Sequence, residues 1–194
     1  QAPGSNATEL ANIAKQTMVD LSKSFPESMR YDISMDTTLA ITAGINEIIV
    51  TLFVALALVI LVVFIFIQDW RAALIPTIAI PVSLIAAFMI FPVIGFTINV
   101  LSLLGLVLAI GIVVDDAIVV VEAVQVKIED GMSAKEATAK AMSEVTAPVI
   151  ATTLVLVAVF IPVAVMAGIT GRLYQQFAIT VAVSVVFSSI NALT

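Results

Sequence analysis

The chain has 194 residues, of which 61% are hydrophobic and only 11% are charged, with a formal net charge of −6. Soluble domains carry about 25% charged residues, so the composition excludes an ordinary globular domain and indicates a chain that lies mostly in a lipid bilayer. The absence of cysteine and histidine excludes disulfides, thiolate metal sites and histidine-based proton transfer. Scarce lysine and arginine argue against nucleic-acid binding, and no cofactor or metal is expected.

Residues 1–40 are the only part with the character of a soluble domain. The pattern Asn6-Ala7-Thr8-Glu9 is typical of a helix start, with a capping side chain and a glutamate three residues later. Met29–Met35 alternates apolar and polar residues, which predicts a half-buried strand. A helix followed by a strand suggests the end of an extramembrane α/β subdomain. The chain starts at Gln1 without Met and stops inside an apolar run, so we expect it to be an internal piece of a longer protein.

From residue 41 onwards the sequence predicts a transmembrane domain of five spans. Each apolar stretch is long enough, at about 1.5 Å per residue, to cross a hydrocarbon core of about 30 Å. The spans lie at about 45–67, 72–94, 98–121, 147–167 and 173–194. Between the third and fourth, a capping box at Ser133–Glu136 predicts a short amphipathic helix at about 133–145 on the membrane surface. The predicted fold is an all-α polytopic membrane protein with a short N-terminal helix–strand piece.

The basic residues of the short connections predict the orientation in the membrane. Four of them, Arg71, Lys127, Lys135 and Lys140, fall on one side, and only Arg172 falls on the other. Because lysine and arginine are enriched in cytoplasmic loops, residues 68–71 and 122–146 are predicted to be cytoplasmic and residues 1–40 to lie outside.

Two adjacent acids in the third span, Asp115 and Asp116, are the candidate functional residues. On insertion scales each ionised aspartate costs about 2.5–3.5 kcal/mol near the centre of a membrane helix, and neighbouring like charges disfavour each other's ionised form. Two acids with this free-energy cost are expected in a membrane helix only where a partner group or ion offsets it. Either the carboxylates pair with a cation, or they bind and release protons or other cations.

Helical geometry selects the residues that could support the pair. Gly111 and Glu122 share the face of Asp115, at four residues before and seven after it. Gly111 offers a bare patch for close helix contact, and Glu122 marks the cytoplasmic mouth of the same stripe. Thr152 and Thr153 of the fourth span could supply hydroxyl groups.

A purely structural salt bridge is the main alternative interpretation of the aspartate pair. It needs a lysine or arginine within the membrane, and none lies inside a predicted span. Burial and repulsion favour the protonated forms of the carboxyl groups, whereas a nearby cation favours the ionised forms. A pair balanced between these effects can exchange protons near neutral pH, and one charge crossing the membrane gains about 2.3 kcal/mol per 100 mV.

The motif around this pair and stretches elsewhere in the chain resemble one known family, and together they cover essentially the whole chain. Gly111–Glu122, with the sequence GIVVDDAIVVVE, resembles the fourth-helix motif of the resistance-nodulation-division (RND) efflux pumps, especially the hydrophobe/amphiphile exporters of Gram-negative bacteria. Ala72–Val82, Gly168–Phe177 and Asp36-Thr37-Thr38 resemble further stretches of the same family.

The resemblance implies a proton-driven drug antiporter of the inner membrane, not an enzyme. The five spans would be the second to sixth of twelve, and residues 1–40 would end a periplasmic porter subdomain. Asp115 and Asp116 would be the proton-relay residues, coupled to a lysine on a helix of the second half. The implied assembly is a homotrimer with a periplasmic adaptor and an outer-membrane channel. Substrate choice in the family rests with the periplasmic domains.

Three alternative functions belong to other classes of protein. An intramembrane aspartyl protease needs two carboxylates that face each other, normally from different helices, whereas both acids here lie on one helix. A structural or protein-translocation relative would share the membrane core and differ in its extramembrane domains. A cation-selective channel would more naturally show rings of acids at a constriction.

Overall fold

A computed structural model describes residues 7–194, apart from the side chain of Ile169. Six helices occupy this range and no strand is present in it: Ala7–Ser22 (α1), Thr38–Ile67 (α2), Trp70–Ile90 (α3), Val100–Glu129 (α4), Ala134–Ala164 (α5) and Gly168–Leu193 (α6). The chain forms two compact units, one ending at Glu47 and the other beginning at Ile48. Helices α2 to α6 are long and apolar enough to cross a membrane, which confirms the predicted all-α polytopic class.

The predicted amphipathic helix at 133–145 is not a separate element. Ser133 caps α5 as predicted, and the Glu136 side chain returns to the Ser133 backbone in a capping box. The helix then continues without interruption to Ala164. No glycine or capping residue interrupts hydrogen bonding before Ala147, so the polar stretch and the fourth span form one helix. Helix α4 likewise runs on to Glu129, and Gly131, with a φ of 91°, makes the turn between the two.

The predicted strand at Met29–Met35 is wrong. These residues have no regular secondary structure, and every one of them is exposed. A strand needs a neighbouring strand to take up its backbone hydrogen bonds, and the described part of the chain supplies none. Helix α1 begins at Ala7, and its predicted capping residue Asn6 lies outside the described residues.

Helix α4 is the central element of the second unit and packs against α3, α5 and α6. Its buried residues recur every three or four positions, which places them on one broad face: Ser102, Leu103, Gly105, Leu106, Ala109, Ile110, Val113, Val114, Ala117 and Val121. Small residues bring α6 close, since a Cβ atom on Gly105 would lie 3.1 Å from the Phe177 carbonyl oxygen and 3.3 Å from Thr180. Three further small residues of α6 are also buried: Ser184, Ser188 and Ser189.

Side-chain hydrogen bonds join α6 to α4 and to α3. Near the start of α4, the Asn99 amide that caps the helix also contacts the Gln176 side chain of α6. Farther along, the Ser188 hydroxyl donates to the Val113 carbonyl over 2.8 Å. Asn191 donates to the Ala79 carbonyl of α3 at 3.4 Å. In an apolar medium such bonds favour one helix register, because the alternative is an unpaired polar group.

Helix α2 is much less packed than the others. Val63 is its only buried residue, and its remaining apolar side chains are exposed or half-buried. A helix that is apolar all round and unburied is suited to contact with lipid. The short Gln68-Asp69 link then leads into α3, with Gln68 in the left-handed region (φ 54°) and the Asp69 carboxylate accepting from the Arg71 amide.

In the first unit, one carboxylate joins α1 to the start of α2. Lys15 of α1 forms an ion pair with Asp36. Asp36 also accepts hydrogen bonds from the Thr38 amide at 2.9 Å and the Thr38 hydroxyl at 2.6 Å. The Lys15 ammonium and then these Thr38 donors lower the pKa of Asp36 to about 2.

We predict that the contact between α1 and Asp36 is insensitive to pH until strongly acidic conditions. A carboxyl group whose pKa is depressed on folding stabilises the folded form above its unfolded pKa, and the contribution is lost as pH falls through the folded pKa. The contact should therefore be constant from pH 7 to about 4 and weaken towards pH 2. Distances between spin labels at exposed positions 16 and 39 of the full-length protein would show this. A change between pH 7 and 5 would contradict it, and Asp36→Asn should remove the acid dependence.

We also predict that Gly105→Val destabilises the helix bundle whereas Gly111→Val does not. A side chain at Gly105 would meet Phe177 and Thr180, and overpacking of this kind costs about 1–3 kcal/mol. A Cβ atom at Gly111 meets nothing within 4 Å. Denaturant unfolding of the detergent-solubilised full-length protein, followed by circular dichroism, would compare the two variants. Equal stability of both would contradict the close packing at Gly105.

Candidate functional site

Asp115 and Asp116 lie at the middle of α4, far from either end. The helix has 30 residues, which corresponds to about 45 Å at 1.5 Å per residue. The two acids therefore lie about 20 Å from each end of the helix, and within its apolar span predicted at 98–121. Asp115 is exposed on the helix surface and Asp116 is half-buried.

Both carboxyl groups face a cavity of about 570 Å³ between α4 and α5. We refer to it as the aspartate cavity. Its walls comprise Ile112, Asp115, Asp116, Val119, Pro148, Val149, Ala151, Thr152, Val155 and Leu156. Apart from the two aspartates and Thr152, these residues are apolar. The two acids thus share one largely apolar space, as the 100° step between consecutive helical residues allows.

No cation neutralises the pair within the described part of the chain. The ion pairs found among residues 7–194 are Lys15–Asp36, Lys23–Asp20 and Lys127–Glu144. No other carboxylate from a second helix lines the aspartate cavity either. The site therefore has two acids, an adjacent hydroxyl and an open apolar volume.

The hydroxyl groups around the aspartates already donate to backbone carbonyls. Thr152 donates to Val149 at 2.9 Å, and Thr153 donates to the same carbonyl at 2.8 Å. Ser188, which donates to Val113, also lies beside the Asp116 carboxyl group. Ser188 is therefore the hydroxyl that lies within reach of both the Val113 carbonyl and the Asp116 carboxyl group.

The structure separates the sequence-predicted site residues into three groups. Asp115, Asp116 and Thr152 share the aspartate cavity. Glu122 lines a second cavity, of about 690 Å³, between the end of α2 and the last turns of α4. Gly111 and Thr153 line neither cavity. The close helix contact expected at Gly111 is made by Gly105 instead, because α6 approaches α4 six residues earlier.

Two residues of the site were not predicted from the sequence. Ser188 of α6 was not among the candidate residues, yet its hydroxyl lies next to Asp116. Pro148 lines the aspartate cavity within α5, where it removes one backbone donor and leaves the carbonyl four residues earlier without its helical partner. In the sequence, both residues stand out only as a serine or a proline inside an apolar run. Residue type alone does not indicate which residue of another helix lies next to them.

Beyond the aspartate cavity, α4 and α5 are joined by an ion pair. Lys127 in the last turn of α4 contacts Glu144 of α5 at 3.0 Å, and both side chains are partly exposed. Ala137 and Ala141 of α5 are fully buried. The two walls of the cavity are thus held together at the end where the four-residue link from Asp130 to Ser133 connects them.

Comparison with known proteins identifies relatives over the full length of the chain. The family model described as the AcrB/AcrD/AcrF family matches residues 1–194. The chain is 45% identical to the multidrug export protein AcrF of Escherichia coli K12 over 193 residues, which is 99% of this chain and 19% of that protein. It is 44% identical over 194 residues to the multidrug resistance protein MdtF of the same strain, covering 100% of this chain and 19% of that protein.

A third relative comes from another genus. The solvent-resistant pump membrane transporter SrpB of Pseudomonas putida is 42% identical over 191 residues, which is 98% of this chain and 18% of that protein. These findings confirm the resemblance to the RND exporters. The chain spans about a fifth of the length of the relatives it matches.

We predict that Ser188→Ala lowers stability more than Ser143→Ala. Ser188 is buried and bridges α6 to α4, so its loss removes an interhelical bond worth about 0.5–1.5 kcal/mol. Ser143 is exposed and bonds only within α5, to the Lys140 carbonyl. Denaturant unfolding of the two full-length variants in the same detergent would test this. If Ser188→Ala proved no less stable than Ser143→Ala, the bridge would have no stabilising role.

Proposed function

Because this chain belongs to the AcrB/AcrD/AcrF family, we propose that it forms membrane helices of a proton-driven multidrug efflux transporter in which Asp115 and Asp116 bind and release the coupling protons. The observation that carries the proposal is the aspartate cavity, where two adjacent carboxyl groups lie at the middle of a membrane-length helix without a cation from the described chain. The names of the relatives, which are multidrug and solvent exporters, support efflux.

The energetics of the site explain why protons are the favoured coupling ion. Each ionised aspartate costs about 2.5–3.5 kcal/mol near the centre of a membrane helix, and protonation removes that cost. A proton that binds from the outer side and leaves to the cytoplasm gains about 2.3 kcal/mol per 100 mV of membrane potential. The same two carboxyl groups can therefore be neutral in one state and ionised in another, and the difference can drive a conformational change.

The ionised state needs a counter-charge, which we propose comes from outside this chain. The resemblance implies a lysine on a helix of the second half of the transporter. The open volume of the aspartate cavity would allow such a side chain to approach both acids. Proton binding would then neutralise the acids and weaken their attraction for the lysine, so that the two halves of the membrane domain shift relative to each other.

The orientation follows from the charges at the helix ends. Arg71, Lys127, Lys135 and Lys140 would face the cytoplasm, as basic residues favour that side, and residues 1–40 would belong to the periplasmic porter domain. The protein would lie in the bacterial inner membrane as a homotrimer, with a periplasmic adaptor and an outer-membrane channel as partners. Its substrates would be multiple drugs, in line with the relatives' names.

The structure favours no second function. An aspartyl protease needs two opposed carboxyl groups, whereas both acids of the aspartate cavity project from α4 and α5 contributes no acid to it. We therefore propose that the aspartate cavity relays protons and does not hydrolyse peptide bonds.

We predict that Asp115→Asn and Asp116→Asn each abolish proton-driven efflux while leaving the protein in the membrane at normal amount. Asparagine keeps the shape of aspartate but cannot release a proton. The assay would follow efflux of a fluorescent lipophilic cation, ethidium, from proteoliposomes that contain the full-length protein under an imposed pH gradient.

The matched control is Asp69→Asn. Asp69 caps α3 through its side-chain oxygen, and asparagine is an equally good capping residue. This variant removes a carboxylate outside the aspartate cavity and should transport normally. Unchanged efflux in Asp115→Asn and Asp116→Asn would overturn the relay, and so would equal losses in all three variants.

A further inference from the structure

Glu122 is the one sequence-predicted site residue that lines a cavity away from the aspartates. It lies in the cavity of about 690 Å³ between the end of α2 and the last turns of α4, which we call the α2–α4 cavity. Asp115 and Asp116 do not line it. The proposed proton relay therefore gives this acid no role, and its surroundings indicate a separate one.

One part of the α2–α4 cavity is apolar. Val62 and Phe66 of α2 and Ile118 of α4 line this part, and they belong to the spans predicted at 45–67 and 98–121. Val62 is 47% exposed and Phe66 is 79% exposed, so no other residue that the structure describes closes the apolar wall. An open apolar wall within a membrane span is suited to contact with lipid acyl chains.

The other part of the cavity is polar and lies beyond the predicted end of the span at 121. Glu122, Gln125 and Glu129 follow each other at steps of three and four residues, so they share one face of α4. Gln125 donates to Glu129 over 3.4 Å, whereas the ion pairs found among residues 7–194 include neither glutamate. Asp69 also borders the cavity, but one of its oxygens already caps α3. Glu122 is thus the exposed carboxylate of α4 that lies closest to the apolar part.

The end of α2 adds negative charge to the same cavity. This helix has no basic residue in its last turn, and its last residue, Ile67, lines the cavity. The final carbonyl groups of a helix carry a partial negative charge that favours cations. No lysine or arginine of the described chain lines the cavity. The charges of both helices therefore disfavour an anionic ligand and favour a cationic group.

An apolar part next to a negative part selects an amphipathic ligand. A metal ion or a small soluble amine would leave the apolar wall uncovered, whereas a lipid with an ammonium headgroup matches both parts. A primary ammonium group has three N–H donors and a quaternary one has none. Because Glu122 is an acceptor, the arrangement favours the primary ammonium. The side-chain amide of Gln68 lies in the same cavity and can donate to the lipid phosphate.

We propose that the α2–α4 cavity binds a phospholipid with a primary ammonium headgroup, of the phosphatidylethanolamine class. The ammonium group donates to Glu122, and the acyl chains cover the apolar wall formed by Val62, Phe66 and Ile118. In the orientation proposed above, this lipid belongs to the inner leaflet. The inference goes beyond the proposed function, because the lipid takes part in neither proton transfer nor drug binding.

The first test maps where the lipid binds and which headgroup it needs. Full-length protein in phosphatidylcholine vesicles would receive a trace of phosphatidylethanolamine with a photoactivatable diazirine in its acyl chain, and labelled peptides would be identified by mass spectrometry. We expect labelling at residues 62–67 and 118–122. Unlabelled phosphatidylethanolamine should reduce this labelling several-fold. Its N-methyl and N,N-dimethyl derivatives should compete progressively less, and phosphatidylglycerol should not compete.

Three results of this experiment would overturn the proposal. Equal competition by all headgroups would show that the ammonium group is not recognised. Absence of labelling at both segments would show that another segment of the transporter covers the cavity. Displacement of the label by ethidium, and not by unlabelled phosphatidylethanolamine, would assign the cavity to a lipophilic cation.

The second test changes the acceptor. Glu122→Gln keeps the length of the side chain and removes its charge, so it should lower labelling several-fold and abolish the preference for the primary ammonium. Glu129→Gln, farther from the apolar part, should have a smaller effect. The matched control is Asp130→Asn, since Asp130 is exposed, does not line the cavity and ends α4 through its backbone N–H. Equal labelling of Glu122→Gln and Asp130→Asn, with equal helix content by circular dichroism, would overturn the proposal.

The labelling assay needs no transport, so its outcome is separate from that of the proton relay. Efflux by Asp115→Asn tests the relay, and competition between headgroups in the unsubstituted protein tests the lipid site. Selective labelling together with intact efflux in Asp115→Asn would refute the relay and support the lipid site. Unselective labelling together with abolished efflux in Asp115→Asn would refute the lipid site and support the relay.

Discussion

The free-energy cost of carboxyl groups in an apolar helix is the constraint on which this structure depends. Asp115 and Asp116 interrupt the apolar surface of α4 midway between its ends, where ionisation is costly in an apolar surrounding. Within the described part of the chain the two carboxyl groups share a cavity and no cation pairs with them. Under the proposed function, the charge of the site changes as protons bind and leave.

The surrounding helices hold the aspartates in place without neutralising them. Gly105 lets α6 approach α4 at backbone distance, and Ser188 donates across the interface to Val113, within the turn that leads to the acids. Small and hydroxyl-bearing residues are the usual means of membrane helix association, since apolar burial drives little once the helices are already in lipid. On one side of the aspartates, α4 is closely packed against α6. On the other side, the aspartate cavity separates α4 from α5.

Composition and helical period were sufficient to predict the five spans and to select Asp115 and Asp116 as candidates, whereas helix ends and spatial partners needed the structure. Five apolar stretches and two intramembrane acids are visible in the sequence because both depend on local residue type. Helix α4 extends past the predicted span end at 121, because a helix can continue beyond the membrane surface. Its backbone hydrogen bonds continue to Glu129, where Gly131 can adopt a positive φ. The strand predicted at Met29–Met35 was wrong because alternating apolar and polar residues describe a single strand, whereas a sheet requires a second strand to pair with it.

The serine bond to Val113 also decides which parts of the membrane domain are able to slide. A donor from α6 fixed to a backbone oxygen of α4 opposes rotation of either helix about its own axis, and the asparagine contact near the other end of the pair opposes tilting. These two contacts favour one relative arrangement of α4 and α6. Under the proposed function, we therefore expect a rearrangement after proton uptake along the surface between α4 and α5, where Pro148 lacks a backbone donor.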